Sequence, residues 1–344
     1  MNKKIYTSSL ALATMALVAV VFVNLWTEQK ATAASATYTL ASLPASDAVI
    51  FIDAQRLLTD SIPGILANNP TLLARVNQRI DQFKEKTNID LRTFDSVAIG
   101  VRFTTPARNE DFKLVVLTQG RFDANTVLDN ALATAKREGL YPQEQSLNGR
   151  PIFVLSRRQQ EAEVEKTTTN QKKTTDKHEM AVAVFDANTF VFGDLESVRA
   201  ALDISAERVS NELVQLATRT PNAIVGFSGN VPAFVTEKLS RDKETLAKNL
   251  AAIHQVYGSI ITTGSEAEMA VTLRAENMDQ AREISKAVNA LKMLTSLSKN
   301  RASNGEMRSI PELIKNLTVT SEGNEVFLTL KLGQGDITSL VRNF

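Results

Sequence analysis

Apolar residues between positions 43 and 344 recur with two periods, one typical of strands and one typical of helices. Ala48–Asp53 is a short continuous apolar run, which is typical of a strand buried on both faces. Val97–Phe103 alternates apolar with smaller or polar residues, which predicts a half-buried strand. Between Asp123 and Gly139, apolar residues recur every three or four positions. Because the run starts with a capping carboxylate and ends in a glycine, it predicts an amphipathic helix.

The same signals recur along the rest of the chain. A short helix is predicted near Ile62, capped by Asp60 or Ser61, and a last short helix is predicted around Ile337. Longer or better-capped helices are predicted after four further residues: Asn69, Asp194, Ser205 and Asn277. Hairpin turns are predicted at four places: Asn148-Gly149, Asp186–Asn188, Gly264 and Gly323-Asn324.

These elements follow one order twice: strand, helices, hairpin, helix, hairpin, short helix. The first series begins at Ala48 and the second at Ala223. We therefore predict an α+β fold of two pseudo-repeated halves, residues 43–220 and 221–344. Each half is expected to be mainly antiparallel sheet with helices packed on one face. Whether the two sheets merge into one stays open at this point.

Ile5–Trp26 is the one long apolar run of the chain, and it directly follows Lys3-Lys4. The 21 residues from Ile5 to Leu25 would span about 30 Å as a helix, the thickness of the hydrocarbon layer of a bilayer. One interpretation is an uncleaved signal anchor, and the other is a signal peptide cut near Ala33 or Ala36. Either one exports the remaining chain, which is then anchored in the inner membrane facing the periplasm or exterior, or released into the periplasm.

Two segments lack the periodicity of a packed element. Residues 27–42 are small and polar, and they are predicted to be a linker between the leader, residues 1–26, and the fold. Arg157–Glu179 has only two apolar residues among many charges of both signs. Such a segment cannot bury enough apolar surface to offset its ordering entropy, so we predict a solvated and mobile excursion.

Composition excludes several classes of function. The 39 basic and 38 acidic side chains give a net charge of +1 and are interleaved, so no field attracts nucleic acid. The chain contains no cysteine, which excludes disulfides, thiolate metal sites and thiol catalysis. Apolar residues make up 43% of the chain, enough for a packed core.

Reactive side chains form no convincing motif. His178 lies in the charged excursion and His254 is predicted late in a helix, so a shared site is not expected. Ser240–Lys243 matches the S-x-x-K pattern of penicillin-binding enzymes, but no K-T-G follows it. Asp53 ends a buried strand, where it can face a cleft or cap the next turn. We therefore assign no catalytic, cofactor-binding or metal-binding residue.

Three stretches carry a resemblance to known sequences: L-P-x-x-x-A-V-x-F-x-D from Leu43 to Asp53, G-R-F-D from Gly120 to Asp123, and F-G-D-x-x-S-V from Phe192 to Val198. In these stretches the chain resembles a group of uncharacterised bacterial envelope proteins. The resemblance implies an N-terminal signal or anchor segment, a duplicated α+β ectodomain and a location in the bacterial envelope. It covers mostly the first half, lies at fold-forming positions and implies no site residue.

These features favour a non-enzymatic, membrane-tethered extracytoplasmic domain that binds a protein or another envelope component. The expected membrane contact is through residues 5–26, with no cofactor and no nucleic acid as partner. One alternative is a carrier or sensor of an apolar small ligand, which would need a sizeable apolar pocket. The other is an envelope hydrolase, which would need Ser240 and Lys243, or another nucleophile–base pair, within hydrogen-bond reach of each other in a cleft.

Overall fold

The structure is a computed structural model. It describes residues 33–103, 112–157, 179–232, 234, 249, 251–297 and 316–341. The apolar leader, most of the charged excursion, His178 and the Ser240–Lys243 motif lie outside the described residues. Within the described residues, no helix is long and apolar enough to cross a bilayer.

Twelve strands are present in the described residues. They are β1 (Ala48–Asp53), β2 (Phe94–Phe103), β3 (Phe112–Gly120), β4 (Leu140–Leu147), β5 (Arg150–Arg157), β6 (Met180–Asp186), β7 (Thr189–Asp194), β8 (Val225–Asn230), β9 (Ile253–Thr263), β10 (Glu266–Ala275), β11 (Leu317–Glu322) and β12 (Glu325–Leu332). The four predicted hairpin turns all join consecutive strands of this set.

The described helices lie between and before these strands. They are α1 (Ala33–Ala41), α2 (Ala54–Arg56), α3 (Ile62–Leu66), α4 (Pro70–Thr87), α5 (Ala124–Arg137), α6 (Leu195–Leu202), α7 (Asn211–Ala217), α8 (Met278–Leu297) and α9 (Gln334–Val341). A π-helical turn, Leu57–Ser61, joins α2 to α3. A 3-10 turn, Leu91–Thr93, precedes β2.

All twelve strands form one antiparallel sheet in the order β11-β12-β10-β9-β8-β1-β2-β3-β7-β6-β5-β4. The two predicted halves meet at its centre, where β1 pairs with β8 from Ala48↔Gly229 to Ile52↔Val225. The α+β class with a large antiparallel sheet is therefore confirmed, and the two halves share a single sheet.

The prediction that helices pack on one face is wrong, because helices cover both faces. We call the face that carries Val49 and Phe51 the front face; α1, α6 and α7 pack on it. The opposite, back face carries Ile52 and is covered by α2, while α5 and α8 cover the back face farther out. The reason is visible in β1 itself: its apolar side chains point to both faces, so both faces require cover.

The predicted linker 27–42 is also wrong over its second part, because Ala33–Ala41 forms helix α1. Ala36 and Leu40 are buried on the front face of the sheet. Thr39 donates its hydroxyl proton to Gln119 (3.1 Å) and lies 3.4 Å from the Ser96 hydroxyl. A helix of nine residues is too short to be stable by itself in water, so packing against the sheet stabilises it.

Two predicted caps were assigned to the wrong residues. Asp53, not Asp60 or Ser61, begins the helical segment after β1, and its carboxylate accepts from the Arg56 backbone N–H at 2.9 Å. Ser210, not Ser205, caps α7. The caps Asn69, Asp123 and Asn277 are confirmed by their side-chain hydrogen bonds to the first turns of α4, α5 and α8.

If α1 is part of the core, truncating its buried side chain must destabilise the fold. Leu40 is 0% exposed, so Leu40→Ala is expected to lower the free energy of unfolding by about 2–5 kcal/mol. Tyr38 on the same helix is 59% exposed, so Tyr38→Ala should change it by less than about 0.5 kcal/mol. Urea unfolding followed by circular dichroism measures both. Equal, small effects would show that this segment is a linker after all.

Candidate functional site

The described helices leave one part of the front face open. Strand register places the front-face side chains of β10, β12 and β11 in adjacent rows. Six of these residues are exposed or half-buried, whereas Thr272 between them is buried. The six are Glu268, Ala270, Thr318, Thr320, Phe327 and Thr329. We call this set the open face. The equivalent front-face positions of β3 and β7, on the other side of the sheet, are buried under α6 and its neighbours.

Four side chains border the open face and form what we call the arginine–tyrosine cluster: Arg219, Tyr257, Arg274 and Glu325. The Tyr257 hydroxyl donates to Glu325 Oε1 at 2.8 Å and accepts a hydrogen bond from Arg219. Arg274 donates to Glu325 Oε1 through Nε and lies 2.9 Å from it through Nη2. Each guanidinium carbon lies 5.4 Å from the centroid of the Tyr257 ring, a cation–π distance.

The cluster connects the two predicted halves. Arg274 of β10 donates to Glu212 Oε1 of α7 at 3.1 Å and to Gln255 Oε1 of β9 at 2.6 Å. Gln255 in turn donates to Asn230 at the end of β8. Helix α7 is therefore bound to strands of the second half through one guanidinium.

Helix α7 reaches this position because β8 has a glycine beneath it. A Cβ atom at Gly226 would lie 1.9 Å from the Ala217 carbonyl oxygen, far inside contact distance. The helix therefore ends directly on the sheet, and the next residues, Thr218–Thr220, lie along it. Thr220 accepts a hydrogen bond from Ser259 at 2.9 Å. The neighbouring Arg219 is in this way directed towards Tyr257.

In the arginine–tyrosine cluster, the pKa values of Tyr257 and Glu325 are both shifted farther away from 7. Burial, and then the hydrogen bond to the Glu325 carboxylate, raise the pKa of Tyr257 above its ordinary 10.0. Burial alone would raise the pKa of Glu325, but hydrogen bonds from Tyr257 and Arg274 outweigh it and lower that pKa below 4.5. The cluster therefore holds a neutral phenol and an ionised carboxylate near pH 7. Neither group is suited to exchange a proton there, whereas fixed charges and donors are suited to binding.

Arg219 is the cluster member most open to solvent. Its side chain is 55% exposed, while the residue beneath it, Tyr257, is 3% exposed. Arginine and tyrosine are both enriched at protein–protein contacts. The site can thus present an oriented guanidinium beside the open face, whose apolar members are Ala270 and Phe327.

Asp53 and His254, which were singled out in the sequence, are not members of the arginine–tyrosine cluster. Asp53 is buried, caps the turn after β1 and lies 3.8 Å from the Arg56 guanidinium, so it faces no cleft. His254 lies in strand β9, not in a helix, and its side chain is exposed.

A groove of about 480 Å³ lies beside the start of α8. Its lining is mostly polar or charged: Asn249, Ala252, Asp279, Gln280, Arg282, Glu283 and Lys286. Such a lining does not match an apolar small ligand. Within the described residues, no group of three or more His, Asp or Glu side chains is placed to hold a metal ion.

None of the cluster residues was identified from the sequence. Its members come from four separate segments, each with an ordinary local pattern. One signal was available in β9, where Gln255, Tyr257 and Ser259 alternate with Val256 and Gly258. Three polar residues on one face of a strand in a large sheet indicate a face that is not covered by apolar packing alone.

Comparison with known proteins assigns no family. No family model and no curated protein matches the chain. Three solved structures, crystal forms I, III and IV of TP0453 from Treponema, are similar at 10%, 10% and 11% identity, with TM-scores of 0.42, 0.46 and 0.44. The matches cover 89%, 89% and 88% of this chain and 96%, 98% and 96% of theirs. TM-scores of this size are too low for the similarity to indicate a function.

Removing one hydroxyl tests the cluster. Tyr257→Phe keeps the ring but leaves Arg219 and Glu325 without their shared partner. We expect the free energy of unfolding to fall by about 1–2 kcal/mol, measured by urea unfolding. Tyr38→Phe, at an exposed position on α1, is the matched control and should have no measurable effect. Equal results for the two variants would mean that the cluster contributes nothing to stability.

Lowering the pH should remove the stabilisation that the Glu325–Arg274 ion pair gives to the fold. The pKa of Glu325 is lowered in the folded state, so its contribution is fully present above the unfolded value of about 4.5 and is lost as the pH falls through the folded pKa. The difference in unfolding free energy between the wild type and Glu325→Gln should therefore be largest at pH 7 and shrink below about pH 4.5. Urea midpoints at several pH values measure this. A difference independent of pH would contradict the assignment.

Proposed function

We propose that this protein is a non-enzymatic, membrane-tethered domain of the bacterial envelope that binds another protein through the open face. The proposal rests on one observation: the open face is exposed or half-buried and is bordered by the arginine–tyrosine cluster. An apolar leader after two lysines supports the tether and the extracytoplasmic orientation. The sequence resemblance to bacterial envelope proteins supports the location.

The composition of the open face suits a protein partner. Phe327 and Ala270 provide apolar area, three threonines provide hydrogen-bonding groups, and Arg219 provides a directed charge at the border. Edge strand β11 has no described neighbour on its outer side. Partner backbone groups could pair there, in addition to side-chain contacts on the face.

The alternative functions have no favouring observation among the described residues. A carrier of an apolar ligand needs an apolar pocket, and the groove beside α8 is lined largely by charged side chains. A hydrolase built on Ser240 and Lys243 depends on residues outside the described ranges.

We further propose that the two halves are copies of one unit. The order of elements outwards from the centre supports this: β1, β2, β3, β7, β6 on one side and β8, β9, β10, β12, β11 on the other. The β4–β5 hairpin then extends the first half only. The helices after the outer hairpins differ, because α6 covers the front face whereas Ile337 of α9 packs with α3 and α4. On this view, the open face exists because the second copy lacks the cover that α6 provides in the first.

Photo-crosslinking in the native host tests the binding surface. With a photoreactive residue at Thr320, we expect an adduct with a defined envelope protein, and Arg219→Ala should weaken that binding about tenfold, as loss of one anchoring arginine does. The control Arg79→Ala removes an equally charged, exposed residue from α4 and should leave the adduct yield unchanged. Equal yields for the two variants would exclude Arg219 as an anchor, and no adduct at all would exclude the open face.

The tether is tested by fractionation and N-terminal sequencing of the protein from its own host. We expect an intact leader in the membrane fraction, extracted by detergent and not by salt, because an uncharged and mostly apolar segment of 21 residues can hold a chain in the bilayer. A soluble product that starts near Ala34 or Thr37 would refute the tether.

A further inference from the structure

Helix α1 determines at which end of the sheet the leader arrives. Thr39 contacts Ser96 at the start of β2 and Gln119 at the end of β3. Farther along the chain, Asp47 contacts Val101 and Phe103 at the other end of β2. The polypeptide therefore enters at the end of the sheet where β2 begins and travels towards the end where β2 finishes.

We call the entry end the proximal end and the opposite end the distal end. Antiparallel register places the turn Ala187-Asn188 of the β6–β7 hairpin and the turn Gly264-Ser265 of the β9–β10 hairpin at the proximal end. The turn Gly323-Asn324 of the β11–β12 hairpin lies at the distal end. The two ends are separated by strands of up to 11 residues, or about 35 Å.

The chain between the leader and α1 is short. Only residues 27–32, six in all, separate Trp26 from Ala33. Even fully extended, six residues span about 20 Å, which is less than the length of the sheet. Because α1 is packed into the core through Ala36 and Leu40, it cannot serve as additional linker without unfolding.

We infer that the proximal end of the sheet is apposed to the lipid surface and that the distal end points away from it. This inference rests on the proposed membrane anchor. It places Tyr257 six residues, or about 20 Å, above the proximal end of β9, where a partner protein reaches it.

The absence of cysteine from the sequence allows the height of single positions to be measured. The full-length chain is reconstituted in phosphatidylethanolamine–phosphatidylglycerol vesicles that contain an acceptor-labelled lipid headgroup. Donor dyes are placed on Ala187→Cys and Ser265→Cys at the proximal end, and on Tyr141→Cys and Ser321→Cys at the distal end. We expect the proximal dyes to lie about 30 Å closer to the headgroups than the distal dyes in both halves, which gives much stronger energy transfer.

A variant with a lengthened connection is the matched control. Insertion of a flexible Gly/Ser segment of about twenty residues after Lys30 should abolish most of the difference, since such a chain no longer restrains the fold. Distal dyes that lie as close as proximal ones in the unmodified chain would overturn the inference, as would a difference that survives the insertion. Failure of the full-length chain to remain with the vesicles would instead refute the anchor, and with it the proposed function.

Discussion

The pairing of β1 with β8 is the contact on which the rest of the structure depends. It joins two series of antiparallel strands into one sheet of twelve. Both strands are short. β1 carries apolar side chains towards both faces, whereas β8 carries Val225 towards the back face and only Gly226 and Ser228 beside Phe51 and Val49 on the front face. On the back face α2 covers Ile52, and on the front face α1 and α7 cover Phe51. The central pair therefore requires helices from two directions, which is why the fold has three layers at its centre and not two.

The position of α7 links this central requirement to the candidate site. Gly226 of β8 permits the end of α7 to rest on the sheet, and the residue two positions after that helix is Arg219. From the second half, Arg274 reaches back to Glu212 of α7. The same helix therefore packs the core and positions the cluster. Helix α7 buries Leu213 and Val214 and also forms one side of the site. A change that displaces α7 would alter both.

Local signals in the sequence predicted those elements whose ends are determined locally. Asn148 and Gly149 both adopt positive φ, and Asn-Gly is the pair that such a turn selects. The caps Asn69 and Asp123 hydrogen-bond within their own first turn. Helix α1 was missed because Leu40 is held by strands that follow much later in the sequence, and Ser205 was chosen over Ser210 because both are equally good caps in isolation. The cluster was missed for the same reason: its two arginines, its tyrosine and its glutamate meet only through the order of the strands.

The electrostatics of the cluster define the kind of recognition it can support. Arg274 is paired with Glu325 and Glu212, and Arg219 lies 4.0 Å from Glu325, so two positive charges face two negative ones. The net charge of the whole chain is only +1, so net charge contributes little long-range attraction for the proposed partner. In the proposed binding function, selectivity would come from short-range fit: the direction of the Arg219 guanidinium, which Tyr257 orients, and the shape of the open face beside it. Such a site discriminates by the time a partner stays bound more than by the rate at which it arrives.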